Sequence, residues 1–163
     1  MRLVFAIDPG NTESAYCIID ADSLQPFEFA KVDNMVLAER LSTFGGYDCV
    51  IERIASYGMA VGRDVFETCE WVGRYSQIAE DNAMAISYIY RKEEKLHICG
   101  DPRAKDANIR RALIDRFAKH DLKNGRGTKK DPDWFYGFKA DCWAAYAVGL
   151  TWIETVLTKD KGG

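Results

Sequence analysis

Short apolar runs crowd the first third of the chain, and segments with an apolar residue every three or four positions fill most of the rest. Residues 2–8, 14–20, 26–33 and 48–52 carry Val, Ile and Phe between turn residues such as Pro9-Gly10, which predicts four β-strands. Between the third and fourth, a helix over 35–44 places Val36, Leu37, Leu41 and Phe44 on one side. From Gly62 to about Asn82, Val65, Phe66, Cys69, Val72, Ile78 and Ala79 trace the stripe of a long helix, with Arg63, Glu67, Glu70 and Arg74 on its other faces. Residues 85–90 are rich in strand formers, and a short charged stretch then leads to Leu96-His97-Ile98-Cys99-Gly100. A further helix over 106–119 turns Ile109, Leu113, Ile114 and Phe117 inward, and after a polar loop the last helix runs from Asp141 to about Leu157. Strands first, helices later and one strand between them predict an α/β layer fold, a mixed sheet flanked by helices.

Composition narrows the setting. A chain of 163 residues, 47% apolar, falls in the range of one domain, here 1–163, able to bury roughly two-thirds of its unfolded surface. No run approaches the roughly 20 apolar residues of a membrane span, and the N-terminus enters a strand without a signal-peptide core, so a cytoplasmic setting without membrane attachment is expected. The five cysteines, at 17, 49, 69, 99 and 142, form no CxxC pair and read as buried thiols. His97 and His120 are too far apart to suggest a metal or catalytic pairing and read as structural or exposed.

Candidate chemistry lies in three acids. Asp8 ends Leu3-Val4-Phe5-Ala6-Ile7-Asp8-Pro9-Gly10, Glu52 ends Asp48-Cys49-Val50-Ile51-Glu52, and Asp141 opens the last helix. Carboxylates at the ends of adjacent buried strands repel each other unless protonated or bridged by cations, and hard divalent ions take such oxygen ligands. Asp8 or Glu52 alone reads first as the point where a strand meets water.

Ile7-Asp8-Pro9-Gly10 with its following apolar strand, then Val50-Ile51-Glu52, then Ala140-Asp141-Cys142-Trp143-Ala144-Ala145-Tyr146-Ala147-Val148, resembles in order and separation the RuvC-type Holliday junction resolvases. Gly58-Met59-Ala60-Val61-Gly62 and Phe66-Glu67-Thr68-Cys69-Glu70-Trp71-Val72-Gly73-Arg74 are similar to the phage-associated branch, so the resemblance covers nearly the whole chain. It implies a ribonuclease-H-like fold with a mixed five-stranded sheet, and a Mg²⁺- or Mn²⁺-dependent endonuclease with two ions held by Asp8, Glu52 and Asp141. It also implies a homodimer that cuts four-way DNA junctions in pairs, leaving 5′-phosphate and 3′-hydroxyl ends. One departure stands out. Bacterial members carry a second acid three residues before the last, where this chain has Phe138; Asp133 or Asp131, upstream in a loop, is left as a fourth ligand or a solvated acid.

Net charge is −3, which excludes a uniformly DNA-coating surface, but basic residues collect locally. Arg103, Lys105, Arg110, Arg111, Arg116 and Lys119 gather around the 106–119 helix, and Lys123, Arg126, Lys129 and Lys130 follow in a loop that Gly125 and Gly127 leave free to order on a substrate. Arg103, Lys105, Arg126, Lys129 and Lys130 are the expected DNA contacts. Tyr57 reads either as a base-stacking residue or as a partly buried aromatic, and Phe66 and Trp71 either as a dimer face or as core. Two other readings stay open: a junction-binding protein that does not cut, and a phosphate-binding protein of the actin and sugar-kinase kind, suggested by Asp-Pro-Gly-Asn-Thr but lacking a second phosphate loop.

Overall fold

In the first strand, β1 (Leu3–Asp8), Val4 and Ala6 face one side, Phe5 and Ile7 face the other, and all four are fully buried. A strand covered on both faces belongs in the middle of a sheet. The computed structural model, which describes residues 1–162, places it there. β2 (Glu13–Asp20) pairs antiparallel with one edge of β1, and β4 (Asp48–Arg53) pairs parallel with the other. β3 (Pro26–Asp33) extends β2 antiparallel and β5 (Ala85–Tyr90) extends β4 parallel, so the mixed sheet has the order β3-β2-β1-β4-β5.

One face of the sheet packs Phe5, Ile7, Tyr16, Ile18, Cys49 and Ile51 against α1 (Asn34–Ser42) and α2 (Arg63–Asp81). The inward line of α2 runs Thr68, Val72, Tyr75, Ala79, a four-three-four spacing that follows the helical period. The predicted stripe is therefore rotated: Phe66 is 60% exposed, Cys69 is exposed, and on α1 Val36 faces solvent beside buried Leu37 and Leu41. Cys17, Cys49 and Cys142 are buried, Cys99 is half-buried, and all five thiols are free.

The opposite face packs Val4, Ala6, Ala15, Cys17, Ile19 and Val50 against α4 (Asp106–Phe117) and α5 (Cys142–Trp152). Every residue of α5 except Ala144 is buried, as expected of a helix apolar all round. A π-helical turn, Ile153–Leu157, carries it to the predicted end, and α6 (Thr158–Lys161) continues beyond. Gly149 seats α5 on the sheet, since a Cβ there would lie 2.5 Å from Ile19 Cδ1 and 2.9 Å from Ala6 Cβ. Gly149→Ala gains about 1 kcal/mol of helix propensity and loses about 1–3 kcal/mol to overpacking. A lower urea midpoint is therefore expected, and an unchanged or higher one would contradict this packing.

The charged stretch after the fifth strand is a helix, α3 (Arg91–Cys99), entered directly from β5. Glu93 accepts the Tyr90 N–H at 2.7 Å, and Gly100, at φ +73°, ends the helix in the left-handed region. Its one fully buried residue is a carboxylate, Glu94. Among the described residues no helix is long and apolar enough to cross a membrane.

Candidate active site

Strand parity brings two of the predicted acids together. Asp8 lies two residues past Ala6 and Glu52 two past Val50, so both carboxylates share the face that α5 covers. β1 and β4 run parallel with Ile7 opposite Ile51, so both acids emerge at the same end of the sheet. The turn behind Asp8 is pinned from below. Gly10 N–H donates to Ser14 Oγ at 3.0 Å, Asn34 Nδ2 donates to the Gly10 carbonyl at 2.9 Å, and Ser14 Oγ donates to Asn34 Oδ1 at 2.6 Å with Tyr75 OH 3.0 Å away. A Cβ on Gly10 would lie 2.1 Å from the Glu13 carbonyl oxygen, which fixes glycine at this position.

Burial, then the charge and hydrogen bond of Glu52, push the Asp8 carboxyl well above the usual carboxylate range. Burial also raises Glu52, against the pull of the Arg91 guanidinium, whose Nη1 lies 3.4 Å from Glu52 Oε2. The Glu52 charge thus favours the protonated form of Asp8. Asp141, directly before α5, is close enough for its charge to act on Asp8, but its side chain is 51% exposed and forms an ion pair with Lys31 Nζ at 2.7 Å. Among the described residues, no group of three His, Cys, Asp or Glu side chains stands at metal-holding spacing.

Three residues that the sequence reading passed over complete the surroundings. Arg91 opens α3 and reaches Glu52, Glu94 and Asp106. Glu94 has no solvent exposure, and burial together with the Glu52 charge holds its carboxyl well above the usual range. Asp106 opens α4. Beside them a pocket is lined by Arg91, Asp106, Arg110, Asp141 and Trp143, with the Arg110 guanidinium 4.8 Å from the centre of the Trp143 ring. The signals for α3 were present: Glu at the third helical position and Gly just past the end.

The fourth-ligand candidates are corrected. The Asp133 side chain is fully buried and accepts the backbone N–H groups of Lys119, His120, Asp121 and Trp134 at 2.7–2.9 Å, so it is a structural anchor. Asp131 is exposed and lies 3.4 Å from His120 Nε2. Phe138 packs against Phe29, Phe135, Trp143 and Tyr146, so an aromatic core fills the position where an acid was sought.

The expected DNA contacts are spread rather than gathered. Arg103 and Lys105 are exposed just before α4, Lys129 and Lys130 are exposed in the following loop, and Arg126 is half-buried, its Nη1 donating to the Phe138 carbonyl at 3.4 Å. Arg111 and Arg116 are tied up, the first on Asp115 and two carbonyls, the second on Glu154. The loop is not loosened by its glycines. Asp121 accepts the N–H groups of Asn124, Arg126 and Gly127, and Gly127, at φ +65°, has no room for a Cβ, which would lie 2.4 Å from the Asp131 carbonyl oxygen. Tyr57 is 61% exposed at φ +50°, so it is not the partly buried aromatic of the alternative reading.

No protein-family model matches the sequence, and no curated protein matches it. Among solved structures, Thermus thermophilus RuvC superposes with a TM-score of 0.65 at 15% identity, covering 91% of this chain and 92% of that chain. Thermus thermophilus RuvC in complex with Holliday junction substrate superposes with a TM-score of 0.65 at 14% identity, over 93% of this chain and 92% of that chain. The chain therefore has the fold of a RuvC nuclease, the ribonuclease-H-like mixed sheet.

Proposed function

We propose that the protein is a metal-dependent, structure-specific endonuclease that resolves Holliday junctions and other branched DNA by paired phosphodiester hydrolysis. The carrying observation is the placement of Asp8 and Glu52 on one face, at the same end of two paired parallel strands, in a RuvC-like fold. Buried acids with more negative charge than Arg91 balances suit a divalent cation, and carboxylate oxygens are the donors Mg²⁺ and Mn²⁺ take. Asp8, Glu52 and Asp141 would hold two such ions, Asp141 in place of its ion pair with Lys31. Two such ions supply a nucleophilic water at neutral pH and charge stabilisation for the departing 3′-oxygen. The ends produced are a 5′-phosphate and a 3′-hydroxyl.

The rest of the chain positions the substrate. Arg103, Lys105, Arg126, Lys129 and Lys130 would meet backbone phosphates, and exposed Tyr57 would meet an unstacked base. Cutting two strands in register calls for a homodimer, and exposed Met59, Val61 and Phe66 support a face at the start of α2. The motifs at 58–62 and 66–74 support a phage-type role in processing branched DNA, within one domain spanning 1–163.

A labelled immobile four-way junction incubated with protein and Mg²⁺ or Mn²⁺ tests this reading, with linear duplex as control. Paired metal-dependent nicks in opposing arms are expected. A second reading, a junction binder that does not cut, is favoured by the Lys31–Asp141 ion pair and the absence of a three-acid cluster among the described residues. Tight binding without any nick would select it.

A further inference from the structure

Glu94 is out of place as a structural residue. Its side chain is wholly buried, and neither carboxylate oxygen has a hydrogen-bond partner. An acid in that position costs stability unless something holds it there. Its cation is Arg91, whose Nη1 lies 3.9 Å from Glu94 Oε1 and 3.4 Å from Glu52 Oε2. The other end of the guanidinium, Nη2, meets Asp106, whose side chain is 72% exposed and lines the pocket of about 270 Å³ beside the acids. One face of Arg91 is thus anchored in the interior, and one carries an anion at the surface.

We infer that Arg91, anchored by Glu94, is a positioning residue that binds a DNA backbone phosphate in this pocket, next to the Asp8–Glu52 pair, and that Asp106 occupies the phosphate's place on the guanidinium. The inference rests on the branched-DNA reading given above. The charged groups facing the pocket agree with an anion there. Arg91 and Arg110 are its cations, and the N-terminus of the twelve-residue helix α4 adds the partial positive charge of its free N–H groups. Of the two acids, Asp141 is compensated by Lys31, which leaves Asp106 as the group a phosphate displaces. An arginine with two terminal nitrogens suits this division: Nη1 faces carboxylates in the interior and Nη2 faces an anion in the pocket.

The test is fluorescence anisotropy of a four-way junction in EDTA, at several salt concentrations, with the full chain and three variants. Asp106→Asn is expected to tighten binding severalfold. Arg91→Met is expected to weaken it on the order of tenfold and to lower the salt slope by about one. Glu94→Gln, which keeps the size and replaces the carboxyl that faces Arg91, is expected to weaken binding in the same way while its thermal midpoint stays level or rises. Opposite signs for Asp106→Asn and Glu94→Gln are what a merely structural cluster would not give. If the wild-type protein binds the junction and both variants bind as it does, the inference fails alone. If the wild-type protein binds no branched DNA, the functional reading fails and takes the inference with it.

Discussion

On the proposed reading, Asp8→Asn is expected to lower the single-turnover rate of junction cleavage by about 10³-fold or more and, at the same time, to make the metal-free protein more stable. The first effect would follow from removing a carboxylate proposed to hold cations, each worth several kcal/mol of transition-state stabilisation. The second follows from the direction of the Asp8 shift. A carboxyl whose proton affinity is raised by folding leaves the folded state stable at low pH, and stability is lost as pH rises from the unfolded value, about 4, through the raised folded one. Asparagine carries no charge to desolvate. The gain in thermal midpoint is therefore expected at pH 8 and absent near pH 4, where the wild-type acid is protonated. Adding Mg²⁺ should close the gap by stabilising the wild-type protein alone. A variant that melts below wild type at pH 8, or still cuts at a comparable rate, would remove Asp8 from the centre of the chemistry.

Asp133→Asn is the largest expected loss of stability outside the core. The carboxylate accepts four backbone N–H groups and has no exposure, and those bonds hold it well below the usual carboxylate range. An amide turns a donor toward donors and leaves N–H groups unsatisfied in the interior. The expected cost is about 3–5 kcal/mol, read as a lower denaturant midpoint, with early loss of hydrogen-exchange protection at Lys119–Asp121. The sign with pH is opposite to that of Asp8. Because folding lowers this group's proton affinity, its contribution is complete above about pH 4 and fades as pH falls through the lower folded value. Wild type and variant should therefore converge in strong acid; a difference that persists unchanged there would rule out the carboxylate as the anchor.

The strands were legible because each is a dense apolar run with turn residues at its ends, and the acids because they break those runs: Asp8 after Ile7, Glu52 after Ile51. Parity then followed from the pleat. What went unread was structure whose logic is not apolar, although α3 carried polar signals in Glu93 and Gly100. α3 buries a glutamate, so no hydrophobic period marks it, and Arg91, Glu94 and Asp106 passed as surface charge. Asp133 passed as a loop acid because a carboxylate that organises backbone N–H groups looks, in sequence, like any other loop acid. Phe66 and Cys69 erred the other way: apolar residues near a helical stripe were assigned inward, while Thr68 and Tyr75 held the inner line through their bulk and hydrogen bonds. Among the loop basics, the sequence shows Arg126 beside Lys129 and Lys130, but only the fold distinguishes the half-buried guanidinium on a carbonyl from the exposed amines.

The alternation of β1 and β4 divides the protein into a hemisphere that carries the acid pair and one that does not. Even-numbered positions from Val4 to Asp8 and from Val50 to Glu52 belong to the first; Phe5, Ile7, Cys49 and Ile51 belong to the second. Changes under α1 and α2 can thus remodel how the molecule meets partners while leaving the acid pair untouched, with one exception. Tyr75, Ser14 and Asn34 pass hydrogen bonds from α2 and α1 to the turn directly behind Asp8. A displacement of α2 would therefore reach the turn behind Asp8 through these hydrogen bonds.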